Sequence, residues 1–215
     1  MEIKMKKISL LLAVFALSAT MALAQGNDAL IDQTGDGHTA EMDQRGSGNI
    51  GELNHQGSNH NGYIQQIGSN NTGRVYARDN NNSSVIIQHG QGHNVQFSMN
   101  GEENIADIRQ YGTSEHSIGF AEILTNVFQT GDRNEFYATQ IGNGDGHEII
   151  SLGGLDIQRG DDNYMEIWQK GSGHSSRLLQ TGDGNTLHVF QKGDDHLSTI
   201  NQNGNDNYAN VKQRN

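Results

Sequence analysis

Residues 158–215 read QRGDDNYMEIW QKGSGHSSRLL QTGDGNTLHVF QKGDDHLSTIN QNGNDNYANVK QRN when broken every eleven positions. Gln opens every block, and in the five full blocks Gly stands two places on and Asn or His three places after that. From Asn185 the marked residues advance by two, through Leu187 and Val189 to Gln191. Asn163, Met165, Ile167 and Gln169 repeat the spacing, as do Asn207, Ala209, Val211 and Gln213. A period of two marks one face of a β-strand. The residues between them, such as Thr186, His188 and Phe190, vary in kind as a solvent face does. A helix is excluded as the main element, because regularly spaced Gly and paired β-branched residues both oppose it.

The same phase runs back through the chain. Gln recurs at Gln33, Gln44, Gln66, Gln88 and Gln110, then at Gln129 and Gln140, then at Gln158, Gln169, Gln180, Gln191, Gln202 and Gln213. His55, Ala77 and Met99 fill the missing steps. The turn glycines are Gly35, Gly46, Gly57, Gly68, Gly90, Gly101, Gly112, Gly131, Gly142, Gly160, Gly171, Gly182, Gly193 and Gly204, with Asp79 the exception. The third series is His38, Asn49, His60, Asn71, Asn82, His93, Asn104, Asn134, Asn163, His174, Asn185, His196 and Asn207; Glu115 and Asp145 read as its departures. A self-similarity of this length outranks other readings. Gly supplies turn angles closed to other residues. Each unit is thus a strand and a tight turn.

One such strand buries nothing alone. Two units form a flattened coil of about 22 residues, and the next coil stacks on it about 4.8 Å away, as strands in a sheet do. Residue i then lies over i+22, Gln over Gln and Asn over Asn, so each inward amide bonds its copies above and below. Amide ladders of this kind recur in stacked cross-β structures. The reading is all-β: a two-sheeted parallel β-solenoid of roughly eight to nine coils. Slots filled by Ala40, Gly51, Gly62, Gly73 and Ser84 predict a weaker first half. Ile167, Leu178, Leu187, Val189, Ile200 and Val211 predict a better nucleus in the second.

The register slips twice, near 113–127 and near 143–156, in stretches that include Ile118, Phe120, Ile123, Leu124, Ile149, Ile150, Leu152 and Leu155. Atypical coils and bulging loops both fit these stretches. Ahead of the repeats, residues 1–24 carry Lys4, Lys6 and Lys7, an apolar run from Ile8 to Ala19, and Ala22-Leu23-Ala24. That is the pattern of a secretory signal peptide with cleavage before Gln25, and its apolar run is short for a membrane span. Residues 25–215 then form the repeat domain.

Composition narrows the function. The 215 residues include 14 Lys plus Arg and 25 Asp plus Glu, for a net charge of −11. The leader holds Glu2 and three Lys, a net of +2, so residues 25–215 carry −13. Such a chain lacks the basic footprint of a nucleic-acid binder, and no nucleic acid is expected as a partner. There is no Cys, so no disulfide framework. Only 33% of residues are hydrophobic, too few for an ordinary layered core of this size. No H-E-x-x-H, phosphate loop or G-x-S-x-G is present, and the sequence calls for no catalytic residue, metal or cofactor. His38 and His60 are 22 apart, as are His174 and His196. Stacked imidazoles can replace Asn as ladder groups, bind a metal, or repel when protonated. Trp168, Phe190, Tyr164 and Tyr208 fall on the outward face.

The phased Gln, Gly and Asn series resembles the curlin repeat of bacterial curli, the secreted functional amyloid subunits, over nearly all of 25–215. The resemblance implies a fibre that polymerises with itself and with a related curli subunit, as major or as nucleating component. It further implies export through an outer-membrane channel with accessory chaperones, and a fimbrial place at the cell surface in adhesion and biofilm matrix. A monomeric β-solenoid glycan binder is the alternative reading.

Overall fold

The computed structural model describes residues 26–113, 116–118, 129–142, 146–151 and 157–215. The leader and most of the two register slips, including Phe120, Ile123, Leu124, Leu152 and Leu155, lie outside the described residues. The strands, in chain order, are β1 (Asp28–Asp36), β2 (Thr39–Ser47), β3 (Ile50–Ser58), β4 (Asn61–Ser69), β5 (Thr72–Asn80), β6 (Ser83–Gln91), β7 (Asn94–Asn100), β8 (Ile105–Gly112), β9 (Ser117–Ile118), β10 (Gln129–Thr130), β11 (Glu135–Ile141), β12 (Glu148–Ser151), β13 (Gln158–Arg159), β14 (Tyr164–Ser172), β15 (Ser175–Thr181), β16 (Thr186–Asp194), β17 (Leu197–Asn203) and β18 (Tyr208–Arg214).

These strands form two parallel sheets. The first holds β1, β3, β5, β7, β9, β10, β12, β13, β15 and β17; the second holds β2, β4, β6, β8, β11, β14, β16 and β18. Wherever the phase is unbroken, partners are 22 residues apart: Gln44 pairs with Gln66, and Gln191 with Gln213. The chain is therefore a parallel β-solenoid of eight coils, each contributing one rung to each sheet.

Alternating burial follows the sequence period. From Gly62 to Gln66 in β4 and from Leu187 to Gln191 in β16 every second residue is buried and the residues between are partly exposed. The inward aliphatics of both sheets, among them Leu53, Ile64, Val75, Ile108, Ile167, Leu178 and Val189, make one continuous core. Phe97 and Phe136 meet across it with ring centroids 5.5 Å apart. The small slots near the start are filled from the opposite sheet. A methyl group at Gly51 would meet the Met42 sulfur, and one at Gly62 would meet the His55 ring and Leu53. The Gly residues there make room for larger partners, so the packing is complementary and not simply depleted.

The register slips are interruptions inside a rung. Val95 pairs with Ile118 and Met99 with Gln129. Four steps on β7 thus match eleven between β9 and β10, an excess of seven. In the next rung Ile149 pairs with Ile118 and Gln158 with Gln129, so nine steps stand where β7 has four. Both ends of each broken strand keep their register, and Ile118 and Ile149 remain in the core. The two insertions occupy neighbouring rungs of the first sheet.

Candidate functional site

The repeat brings the marked residues into columns. In the second sheet, Nε2 of each Gln donates to Oε1 of the Gln in the following rung. The bonds run Gln44 to Gln66, Gln88, Gln110, Gln140, Gln169, Gln191 and Gln213 at 2.8–2.9 Å. The same amides also reach peptide carbonyls, as Gln66 does at Ile50 and Asn71. In the first sheet the ladder is shorter, from Gln129 through Gln158 and Gln180 to Gln202. The preceding slots of that column hold His55, Ala77 and Met99, and Met99 pairs with Gln129. Met99 has no amide to donate, and the buried Gln129 Oε1 has no hydrogen-bond partner.

The Asn series works through the backbone. Oδ1 of each Asn accepts the peptide N–H of the corresponding residue one rung on. Asn49 serves Asn71 at 3.1 Å, and Asn82, Asn104, Asn134, Asn163 and Asn185 serve their followers at 2.9–3.1 Å. The amide nitrogen donates to the carbonyl of the turn glycine in a neighbouring rung, as Asn71 does to Gly90 at 3.2 Å. All the turn glycines but Gly142 hold positive φ, and inside the stack the rungs lie so close that a side chain there has no room. Gly171 has φ +134°, and a Cβ there would overlap the Gly193 carbonyl. Asp79, in the one non-glycine slot, takes φ +71°.

Histidine stands in for asparagine in the same geometry. Nδ1 of His38 accepts the His60 N–H, and Nδ1 of His60 accepts the Asn82 N–H, both at 3.2 Å. The rings of His38 and His60 stack at 5.1 Å, as do those of His174 and His196. The structure adds members that the spacing hides. His116 and His147, six and seven residues after Gln110 and Gln140, occupy the cap slot in their rungs, while Glu115 and Asp145 lie outside the described residues. Their peptide carbonyls accept in the usual pattern from the rung before, His116 from the Asn94 N–H and His147 from the Ser117 N–H, both at 2.8 Å. His93, His116, His147, His174 and His196 therefore form one column, with centroids 4.7–5.1 Å apart and planes within 10° of parallel. His55 is different. It fills a Gln slot, is buried, and has no hydrogen-bond partner on either ring nitrogen. Burial first, then the neighbouring His60 and His38, pull its pKa down to about 4.

Turn aspartates also bond along the stack. Carboxylates of Asp132, Asp161 and Asp183 accept the peptide N–H of Glu102, Asp132 and Asp161 at 2.8–2.9 Å. Among the described residues, no group of three or more His, Asp or Glu is placed to hold a metal ion. On the outer face of the second sheet, Trp168 and Phe190 stack at 4.4 Å, and the Arg214 guanidinium lies 4.8 Å from the Phe190 ring. Tyr164 is partly exposed beside them and Tyr208 is 67% exposed.

Among the described residues nothing covers either end of the stack. β1 is exposed along its whole length, and Leu30, Ile31, Leu197 and Tyr208 present 43–67% of their surface. Residues 160–193 and 185–214 match the family model of the curlin associated repeat. Residues 160–214 carry the curlin repeat. The coils of β1 to β13 place their Gln, Gly and Asn or His residues in the same columns as these curlin repeats. No curated protein matches the chain.

Proposed function

We propose that this chain is a secreted structural subunit of a curli-like fibre, and that it polymerises by head-to-tail stacking of its solenoid. The bare end rungs carry this reading. Exposed strand edges template further strands. Continuing the 22-residue register past the tail sets β17 against β1 of a second copy, and β18 against β2. Ile200 then lies over Ile31, Val211 over Met42, Gln202 over Gln33, Gln213 over Gln44, and Lys212 beside Asp43. The turn bond from Asp183 N–H to Asn205 Oδ1, 3.0 Å within one copy, recurs from Asn205 N–H to the Asp36 carboxylate of the next. All bonds of the Gln columns point from head to tail, so only one polarity of joint continues them.

The curlin repeat supports the wider setting: an extracellular fimbrial fibre, export through an outer-membrane channel with chaperones, a related curli subunit as co-polymer, and a role in adhesion and biofilm matrix. The chemistry that this reading assigns to the Gln, Asn and Gly columns is structural, holding rungs together within and between copies.

Gly204 tests the joint. A Cβ at Gly204 meets only Asn207 Nδ2, at 3.5 Å, whereas at the equivalent Gly182 it would overlap the Gly204 carbonyl. At φ +107° an alanine strains only this last turn, so Gly204→Ala should keep most of the circular dichroism of the single copy and stop fibre elongation, read by amyloid-dye fluorescence and electron microscopy with preformed seeds. Elongation at the wild-type rate overturns the joint. Seeding of a related subunit by trace amounts of this chain distinguishes a nucleating from a bulk component.

A further inference from the structure

The five-histidine column defines a property of the single copy that does not depend on fibre formation. It runs along the edge where the second sheet turns into the first, through the last five coils. At His116, His147 and His174 both ring nitrogens are engaged. Nδ1 of these rings accepts the peptide N–H of His147, His174 and His196 at 3.1, 3.3 and 3.2 Å. Nε2 of the same rings faces the carbonyls of Tyr111, Ile141 and Lys170 at 3.1 Å. A nitrogen that accepts carries no proton, and one that faces a carbonyl carries it. Each ring is thereby fixed as the neutral tautomer with hydrogen on Nε2. With both nitrogens used, these three rings have no lone pair left for a metal.

We propose that this column is an acid-operated latch: protonation of its rings releases the histidine edge of the solenoid while the opposite, asparagine edge stays closed. The new proton must go on Nδ1, where it points at the peptide N–H it formerly accepted. One backbone bond per rung is lost, and the cation lies 4.7–5.1 Å from the next ring. The opposite column, Asn134, Asn163, Asn185 and Asn207, makes the same N–H bond with an amide oxygen that does not titrate.

The groups around the rings set the operating range. His116 faces His93 and the carbonyls of Tyr111 and Gly142; His147 faces His116, His174 and the Ile141 carbonyl. Neither has a carboxylate partner, and burial pulls both down to about 4. His174 faces His196 and the Lys170 carbonyl, with Asp194 and Asp195 near enough to favour its charged form; burial still lowers it. His196 sits at the open end, with its Nε2 on the Lys192 carbonyl at 2.9 Å. Of the three doubly bonded rings, His174 is the one beside carboxylates, and its bond to the His196 N–H is the first to open.

Hydrogen exchange on the full chain, kept dilute and free of fibres, tests this. The amides of His147, His174 and His196 are compared with those of Asn163, Asn185 and Asn207 in the same stack. Between pH 7.5 and pH 5, protection at the His amides should fall about tenfold or more relative to the Asn amides, after correction for intrinsic exchange. Exchanging His116, His147 and His174 together for Asn should make the ratio independent of pH. If that variant does not fold, His147→Asn alone should abolish the change at the His174 amide. A ratio that stays constant in the wild type, or that falls equally in the Asn variants, overturns the proposal.

Discussion

Replacing Gln140 by Leu isolates what the continuous ladder contributes. Gln140 is fully buried in the middle of the second sheet. Its Oε1 accepts from Gln110 at 2.9 Å, and its Nε2 donates to Gln169 at 2.9 Å and to the Ser117 carbonyl at 3.4 Å. Leu preserves most of the volume, so the change is chiefly polar. The Gln110 amide keeps its bonds to the Asn94 and His116 carbonyls. The Gln169 Oε1 loses its donor inside the stack. Two lost ladder bonds at about 1 kcal/mol each, plus one orphaned buried acceptor at about 1–3 kcal/mol, give a loss of roughly 3–5 kcal/mol. Gln213→Leu is the control. It removes one ladder bond at the open end, where water replaces the partner, and should cost under about 1 kcal/mol. Guanidinium unfolding of dilute chain, followed by Trp168 fluorescence one rung away from Thr139, measures both. Equal midpoints for the two variants, or a more stable Gln140→Leu, would refute the view that inward amides bind the rungs together.

Other outcomes follow from single sites. Gly171→Ala places a Cβ on the Gly193 carbonyl at a φ closed to most side chains, and should cost more than about 3 kcal/mol in the same unfolding measurement. His55→Gln should stabilise by about 1 kcal/mol, since an amide in that slot meets Gln33 in the rung below and a peptide carbonyl beside it; calorimetry of the two proteins decides. Stability should also depend on pH with a definite sign. His55, His116 and His147 are pulled down to about 4 in the fold, against about 6.5 in an unfolded chain. Their contribution is complete above pH 6.5 and is lost as pH falls toward 4, at roughly 1 kcal/mol per ring for each pH unit. Unfolding midpoints that rise over that interval would contradict the burial of these rings.

The coil length, the inward face and the pairing of i with i+22 were all legible in residues 158–215, because Gln, Gly and Asn keep one phase there. The interrupted ladder of the first sheet was also visible, since His55, Ala77 and Met99 all fall on alternate steps. The middle of the chain was harder. Counting from Gln110 to Gln129 gives the total excess but not its division between turn and strand. Only pairing shows that one extra residue precedes His116 and seven follow Ile118. For that reason His116 and His147 escaped a fixed-step reading, and only the His174–His196 pair at the tail of the five-histidine column was visible. At Gly51 and Gly62, sequence shows an empty position but not the Met42 and His55 side chains that reach into it from across the core.

The stack closes on whole coils, beginning with β1 in the first sheet and finishing with β18 in the second. A polymer of such units has no half-turn to make up at each junction. The side bearing Trp168, Phe190 and Tyr208 would recur at the same azimuth in every subunit, drawing one aromatic stripe down one flank of the filament. An odd strand count would have alternated that stripe from flank to flank, and with it the surface available for bundling.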